Sequence, residues 1–395
     1  MRSLVPQTSQ RCAVALSIAI AAALPACAVA KTETGADVSL SAAVASNPFL
    51  AVVGNPASVS ASLGISPWIT FTESASSLRL SGDVRVTEYA RIFSRSESFS
   101  ANAKGTWQID PQLNLESSIS YGESIVGETN LIEPPTRATP VFDDPTLIGL
   151  RSRRRSFNTS LTAQYSPDAR QRWGFTFYAT DSRFSNLASG NDYAVFGETI
   201  TYDRVFRRGS FGASLNLQRY ECRSLQSCSQ VVASPQMTAT IRLSAPWTLS
   251  ASAGVSYSSL RLPTEQRNTV TPSASATLCR KDAKSSVCFS VSHTVEATAL
   301  GGARPVLSGS ISTNYRLTER NRIVLAGNYS GSTRAGLAGD TFRYVGVRLT
   351  DEHQVNRRMH LLVVGSHSIT RSSFFGQRAN TEVSIGMRIS IGRMS

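Results

Sequence analysis

Past Ala30 the chain is written almost throughout in a two-residue rhythm of apolar and small polar side chains. From Trp247 to Ser258, the set Trp247, Leu249, Ala251, Ala253, Val255 and Tyr257 alternates with Thr248, Ser250, Ser252, Gly254, Ser256 and Ser258. A strand throws successive side chains to opposite faces, so one face here is oily and the other carries hydroxyls. Val270, Pro272, Ala274, Ala276 and Leu278 repeat the pattern against Thr269, Thr271, Ser273, Ser275 and Thr277. A soluble sandwich would bury its apolar face and expose charge. Here the apolar side is light in bulk and the polar side is rich in uncharged hydroxyls and arginine, which is the arrangement of a barrel with lipid outside and water within.

The alternation predicts an all-β, transmembrane, antiparallel up-and-down β-barrel of about 18 strands, with 16 also compatible. The strands are expected near residues 36–45, 57–71, 77–89, 93–108, 112–123, 152–166, 172–184, 192–206, 210–221, 229–244, 247–259, 267–279, 286–298, 305–317, 321–332, 341–350, 357–370 and 380–393. Short polar turns near Glu73–Ser76, Asp110–Pro111, Pro167–Arg170, Arg207–Gly209, Ala245–Pro246, Arg280–Ser285, Thr318–Arg320 and Asp351–Asn356 alternate with more variable links. Outer-membrane barrels keep short turns on the periplasmic side, so both chain ends are expected there and the strand number is even. Trp68, Trp107, Trp173 and Trp247 all fall close to predicted short turns, which suggests an aromatic girdle at one headgroup level.

The first thirty residues have the form of a secretory signal. Arg2 and Arg11 precede an apolar run from Ala13 to Leu24, and Ala28, Val29 and Ala30 offer a small-residue cleavage site. The expected organisation is therefore a signal peptide over 1–30 and a barrel over 31–395. Leu24, Pro25, Ala26 and Cys27 also allow a lipoprotein signal with an acylated Cys27, though proline before the small residue fits poorly. After Lys31 no uninterrupted apolar run approaches the roughly 20 residues of a spanning helix, so any crossing must be made by strands.

Of 40 basic residues only four are lysine, and without Arg2 and Arg11 the balance is 38 basic against 27 acidic, a net charge of about +11. Such a surplus implies an anionic partner. Export across the inner membrane argues against nucleic acid and leaves lipid headgroups or an acidic solute or polymer. Four cysteines remain after the signal, as the close pairs Cys222 with Cys228 and Cys279 with Cys288, and an even number in an exported chain suggests local disulfides. Neither spacing matches a zinc or redox motif, and no metal or cofactor is expected.

Assigned strand by strand, the inward face carries Arg79, Arg85, Lys104, Arg154, Arg242, Arg316, Arg322, Arg348 and Arg388. Against these stand Asp83, Glu116, Asp203, Glu296 and Glu382, leaving the lumen positive by about four charges. Arginine's flat fork suits carboxylate or phosphate, although any one arginine can equally serve to pair an acid and stiffen the wall. The longest link, from Ser124 to Leu150, carries Glu128, Glu133, Asp143 and Asp144. Its acids are expected either to fold against the arginines as a constriction or to remain on a solvated loop. Arg151, Arg153, Arg154 and Arg155 form a basic mouth or a strand end at lipid phosphates.

Gly386, Met387, Arg388, Ile389, Ser390 and Ile391 resemble the terminal-strand signal of outer-membrane barrels for their assembly machinery, but the chain ends in Met394 and Ser395 instead of an aromatic. Asn47, Pro48, Phe49 and Leu50, after a first alternating strand, are similar to porin-like barrels associated with exopolysaccharide gene clusters. That resemblance implies a role in moving or assembling a surface polysaccharide. The predicted strand number and arginine-lined lumen also resemble the barrel that exports alginate.

The expected function is an outer-membrane channel with a basic lumen for an anionic exopolysaccharide. An anion-preferring porin is the alternative, and a non-conducting scaffold for periplasmic export proteins is another. The basic turn residues Arg207, Arg208, Arg280, Lys281, Arg357 and Arg358 would meet such a partner or, more simply, anionic headgroups, including those of lipopolysaccharide. Catalysis would need a nucleophile and base together. His293 is flanked by Ser292, Thr294 and Glu296, but Ser292 and Glu296 point to the opposite face, and His367 meets the same objection between Ser366 and Ser368. With His353 in a turn, His360 as the fourth histidine and no catalytic set, the chain is not expected to be an enzyme.

Overall fold

Within a bilayer a strand can satisfy its backbone groups only through neighbouring strands, so a chain of alternating segments must close its sheet. The computed structural model describes residues 31–50, 57–91, 93–126, 152–185, 192–222, 228–261, 266–297, 303–332, 341–373 and 376–392. The predicted signal at 1–30, with its cleavage site and Cys27, lies outside the described residues, as do Glu128, Glu133, Asp143, Asp144 and Arg151.

The strands are β1 (Lys31–Ala45), β2 (Ser58–Glu73), β3 (Ser76–Tyr89), β4 (Ser96–Asp110), β5 (Leu113–Val126), β6 (Ser152–Asp168), β7 (Gln171–Ser185), β8 (Tyr193–Phe206) and β9 (Gly209–Cys222). There follow β10 (Cys228–Arg242), β11 (Trp247–Arg261), β12 (Gln266–Lys281), β13 (Ser285–Ala297), β14 (Ala303–Arg316), β15 (Asn321–Ser332), β16 (Phe342–Gln354), β17 (Met359–Ser372) and β18 (Gly376–Gly392). Each pairs antiparallel with its sequence neighbours, and β1 pairs with β18 from Gly35–Gly392 to Ala45–Glu382, closing an 18-stranded barrel. The connections at 74–75, 111–112, 169–170, 207–208, 243–246, 282–284, 317–320 and 355–358 gather with both ends of the barrel at one rim, called here the turn rim. The other rim is the loop rim.

Which face is which follows from exposure. Leu40, Val44, Leu63, Val84, Phe99, Phe175, Val255, Phe289, Val347 and Ile385 are exposed, while Ser41, Ser62, Ser256, Ser273, Thr350 and Ser384 on the alternate positions are buried. Oily residues thus form the outer surface and hydroxyls the inner one. Partner by partner, Lys31 leads through Thr72, Ser77, Thr106, Glu116, Thr162, Thr176 and Thr199 to Asn216 and Ser234. Ser234 bonds Ser256 at 2.8 Å, five residues from the loop-rim end of β11. The row climbs from the turn rim most of the way to the loop rim in little over half a circuit, which is the strand tilt a closed barrel requires, about 35–45°.

Two details depart from the sequence reading. β16 runs on to Gln354, so Asp351, Glu352 and His353 belong to a strand and not a turn; a run of charge at the water-facing end of a strand looks like a loop. Trp68 lies on the inner face, in register with Gly35 and Ser81, and so is not part of an outer girdle. Closeness to a turn sets height along a strand, not the face. Trp107 does face outward, its indole lying over Gly105, and Trp173 faces outward with its ring 4.6 Å from Tyr202. Trp247 shares the outer face with Leu249, and the Arg280 guanidinium sits 5.8 Å from its ring.

One seam is short. The β12–β13 ladder covers only Ala274–Lys281 against Ser286–His293, although both strands continue toward the loop rim. Pro272, which has no N–H to donate, stands where the strands part, and His293 Nδ1 lies 2.7 Å from its carbonyl oxygen. Above it the start of β14 reaches inward. Gln230 of β10 donates to the Ala303 carbonyl at 3.1 Å and accepts from the Ala303 amide at 2.5 Å.

Opposite faces predict opposite responses to charge. Val347→Arg, mid-strand on the oily face, is expected to cost about 2–4 kcal/mol in vesicle-embedded protein. Ser252→Arg on the wet face should cost less than about 1 kcal/mol. Denaturant titration followed by tryptophan fluorescence compares them; equal costs would contradict the assigned faces.

Candidate functional site in the barrel lumen

The inner wall is a mesh of cross-strand hydroxyl pairs. Ser41 meets Ser62 at 2.6 Å, Ser118 meets Ser160 at 2.8 Å, Ser252 meets Ser275 at 2.8 Å, and Ser292 meets Ser308 at 2.6 Å. Thr162–Thr176 and Thr277–Ser290 continue the pattern. Directly opposed residues in an antiparallel pair bring their side chains close enough to bond, which is why serine and threonine recur in register. Such a surface holds water without binding a solute strongly.

Charge is set into this mesh. The register places Arg79, Arg85, Lys104, Arg154, Arg242, Arg316, Arg322, Arg348 and Arg388 on the same face as the hydroxyls. They stand at all heights, with Arg79, Arg242, Arg316, Arg322 and Arg388 in the half nearer the turn rim. Arg79 lies over the Trp68 ring at 5.2 Å, a cation–π contact. Lys104 pairs with Glu116 at 2.7 Å. For Arg79, Arg85, Arg242 and Arg316 the described residues include no ion-pair partner. The acids are partly engaged elsewhere: Asp83 accepts from Ser66 at 2.6 Å, Asp203 from Thr238 at 3.4 Å and Glu296 from Thr294 at 2.9 Å.

The densest cluster centres on Glu352, a residue that reading Asp351–Asn356 as a turn left out. Its Oε1 accepts from Arg388 Nη2 at 2.9 Å and lies 3.0 Å from His360 Nδ1, and its Oε2 is 3.9 Å from Arg322 Nη1. Arg322 also donates Nε to Asn314 at 2.6 Å. One carboxylate therefore organises side chains from β15, β16, β17 and β18, and two of the basic wall residues are tied by it. Continuing the alternation Thr350, Glu352, Gln354 would have shown it. Asp37, Arg304 and Arg378 are further inward charges absent from the sequence assignment.

Near the loop rim the chain after β1 turns into the lumen. Phe49 and Leu50 are 2% and 0% exposed, in a protein whose other large apolar side chains mostly face outward. Ser46 N bonds the Thr381 carbonyl at 2.9 Å, Asn47 N bonds Asn380 Oδ1 at 2.8 Å, and Arg378 Nη1 donates to the Leu50 carbonyl at 2.6 Å. Phe49 packs against Phe93 and Tyr89 at ring distances of 4.4 and 5.4 Å. Leu50 has φ 49°, a left-handed backbone that a leucine adopts only when its surroundings impose it. This segment and the start of β14 at Ala303 narrow the loop-rim end among the described residues.

The cysteines staple neighbouring strands. Cys279 and Cys288 are bonded across β12–β13 on the inner face. Cys222 is disulfide-bonded, and the β9–β10 register sets Cys228 opposite it. Each histidine has a structural partner: besides His293 and His360, His353 bonds Asn321 at 2.5 Å and His367 bonds Thr381 at 2.8 Å. Among the described residues no group of three or more His, Cys, Asp or Glu is placed to hold a metal.

No protein-family model matches the sequence, and no curated protein does. Solved structures do resemble the fold. The ferric citrate transporter FecA in its unliganded form superposes with a TM-score of 0.54 at 9% identity, covering 91% of this chain and 79% of that one. The FrpB iron transporter of Neisseria meningitidis, F5-1 variant apoprotein, gives 0.51 at 13% identity, covering 86% of this chain, which spans 61% of its length. At these identities the likeness shows the fold, that of an outer-membrane β-barrel.

Removing the central carboxylate tests the cluster. Glu352→Ala is expected to lower unfolding stability by about 2 kcal/mol, because the charged hydrogen bond from Arg388 and the ion pair with Arg322 are lost together. Chemical denaturation in detergent measures it, and an unchanged midpoint would mean that water already satisfies these groups.

Proposed function

We propose that the chain forms a passive outer-membrane channel whose basic wall passes anionic solutes, an acidic exopolysaccharide being the leading substrate class. The observation that carries this reading is the set of nine basic residues sharing the face of the hydroxyl mesh, at heights from rim to rim. Successive guanidinium groups on a wetted wall give a carboxylate-bearing chain several weak sites, and conduction needs sites strong enough to attract and weak enough to release. The polymer follows from the resemblance of Asn47–Leu50 to barrels of exopolysaccharide clusters. The transporter likenesses fit a transport role and name no substrate for this chain.

A second reading, a channel for small anions, is favoured by the inward segment at Phe49 and Leu50, which occupies space that a polymer would need. Planar-bilayer recording tests the first reading. In a tenfold salt gradient the reversal potential should show anion preference, and a polyuronate added to one side should interrupt the current. Cation preference would overturn the basic-wall reading, and anion current indifferent to polyuronate would favour small anions. Arg378→Ala, which removes the donor to the Leu50 carbonyl, is expected to raise single-channel conductance by about 1.5-fold or more if the segment narrows the path. Unchanged conductance would place the limiting constriction elsewhere.

A further inference from the structure

The outer face near the loop rim carries two pairs of directly opposed arginines, and they differ in one respect. Arg155 of β6 faces Arg183 of β7, and each is neutralised from its flank: Arg155 by Glu123 at 3.1 Å and Arg183 by Asp181 at 3.2 Å. Arg343 of β16 faces Arg371 of β17. Both are exposed, on the oily side with Val345 and Ile369. Their outer-face neighbours are Gly331 on β15 and Gln377 on β18, and no carboxylate stands beside either among the described residues.

Like charges directly across a strand pair destabilise it unless something of opposite charge lies between them. Opposed side chains in such a pair start about 4.5–5.5 Å apart, so both guanidinium forks can close on one phosphate through paired hydrogen bonds. One side-chain step down β16 from Arg343, at Val345, an apolar furrow of about 600 Å³ begins on the outer wall. It is floored by Gly309 and Gly327 and walled by Ile311, Tyr329, Val345 and Val347. A cationic pair above an oily furrow matches a ligand with a phosphate at its head and an acyl chain below.

We propose that Arg343 and Arg371 bind a phosphate monoester of an acylated glycolipid in the outer leaflet, lipid A in chemical class, with one acyl chain lying in the furrow. The short-turn rule assigns the loop rim to the outer leaflet, where such a lipid is found. A monoester offers up to two negative charges to two guanidinium groups. A phosphodiester offers one.

Native mass spectrometry of the full chain in detergent tests the site, using bisphosphorylated lipid A, its dephosphorylated form, and phosphatidylglycerol. The wild type should retain one bisphosphorylated lipid A, and the R343Q/R371Q double variant should weaken that retention by at least about tenfold. R155Q/R183Q should leave it unchanged. Equal retention by the R343Q/R371Q variant, equal retention of the dephosphorylated lipid or of phosphatidylglycerol, or no adduct on the wild type would each overturn the proposal. A matching loss in R155Q/R183Q would also overturn it, by showing that any rim charge serves. Resistance to room-temperature detergent unfolding checks that each variant is folded. If the double variant fails that check, R371Q alone carries the test, with an intermediate loss expected and none overturning the proposal.

Discussion

Closure of the backbone ladder is the constraint on which the rest depends. An open sheet in hydrocarbon would leave two rows of polar groups unpaired, so β1 must meet β18, and Lys31–Ala45 must serve Ser58–Thr72 on one side and Glu382–Gly392 on the other. Once the ring is closed, the period of two assigns every side chain to oil or water. The hydroxyl mesh, the basic wall and the outward aromatics are consequences of that single parity, propagated strand by strand through registers that rarely slip. Among the described residues the pairing shifts only at Gln108/Asp110 and Tyr165/Asp168, both beside short turns.

Most of this order was legible in the sequence because alternation is a local property. All eighteen segments appear where Ser/Thr and apolar residues alternate, and β15 has the predicted bounds of 321–332. What local reading missed has particular causes. Trp68 was placed by its nearness to a turn, although its own parity with Ser66 and Thr70 put it among the polar set. Glu352 was lost because Asp351, Glu352 and His353 together look like a turn. The inward course of Ser46–Leu50 had no local signal, since its partners Arg378 and Asn380 lie more than 300 residues away and meet it only because the barrel closes.

The lumen combines two tendencies. Among the described residues Arg79, Arg85, Arg242 and Arg316 stand without an ion-pair partner, whereas Glu352 ties Arg388 and Arg322 together and the Phe49–Leu50 segment fills space at the opposite rim. In the channel proposed above, the first would draw in negative charge and the second would limit what fits through, so the two properties could change independently.

The short β12–β13 seam bears on how the molecule sits among lipids. Above Ala274 and His293 the facing edges of these strands lack each other as ladder partners, and hydrocarbon offers peptide groups nothing in exchange. The β5–β6 ladder, by contrast, runs up to Val126 and Ser152. The strand edges beside Pro272 therefore need partners from outside the ladder, as His293 already provides for the Pro272 carbonyl, and this flank is where the wall is least tightly laced.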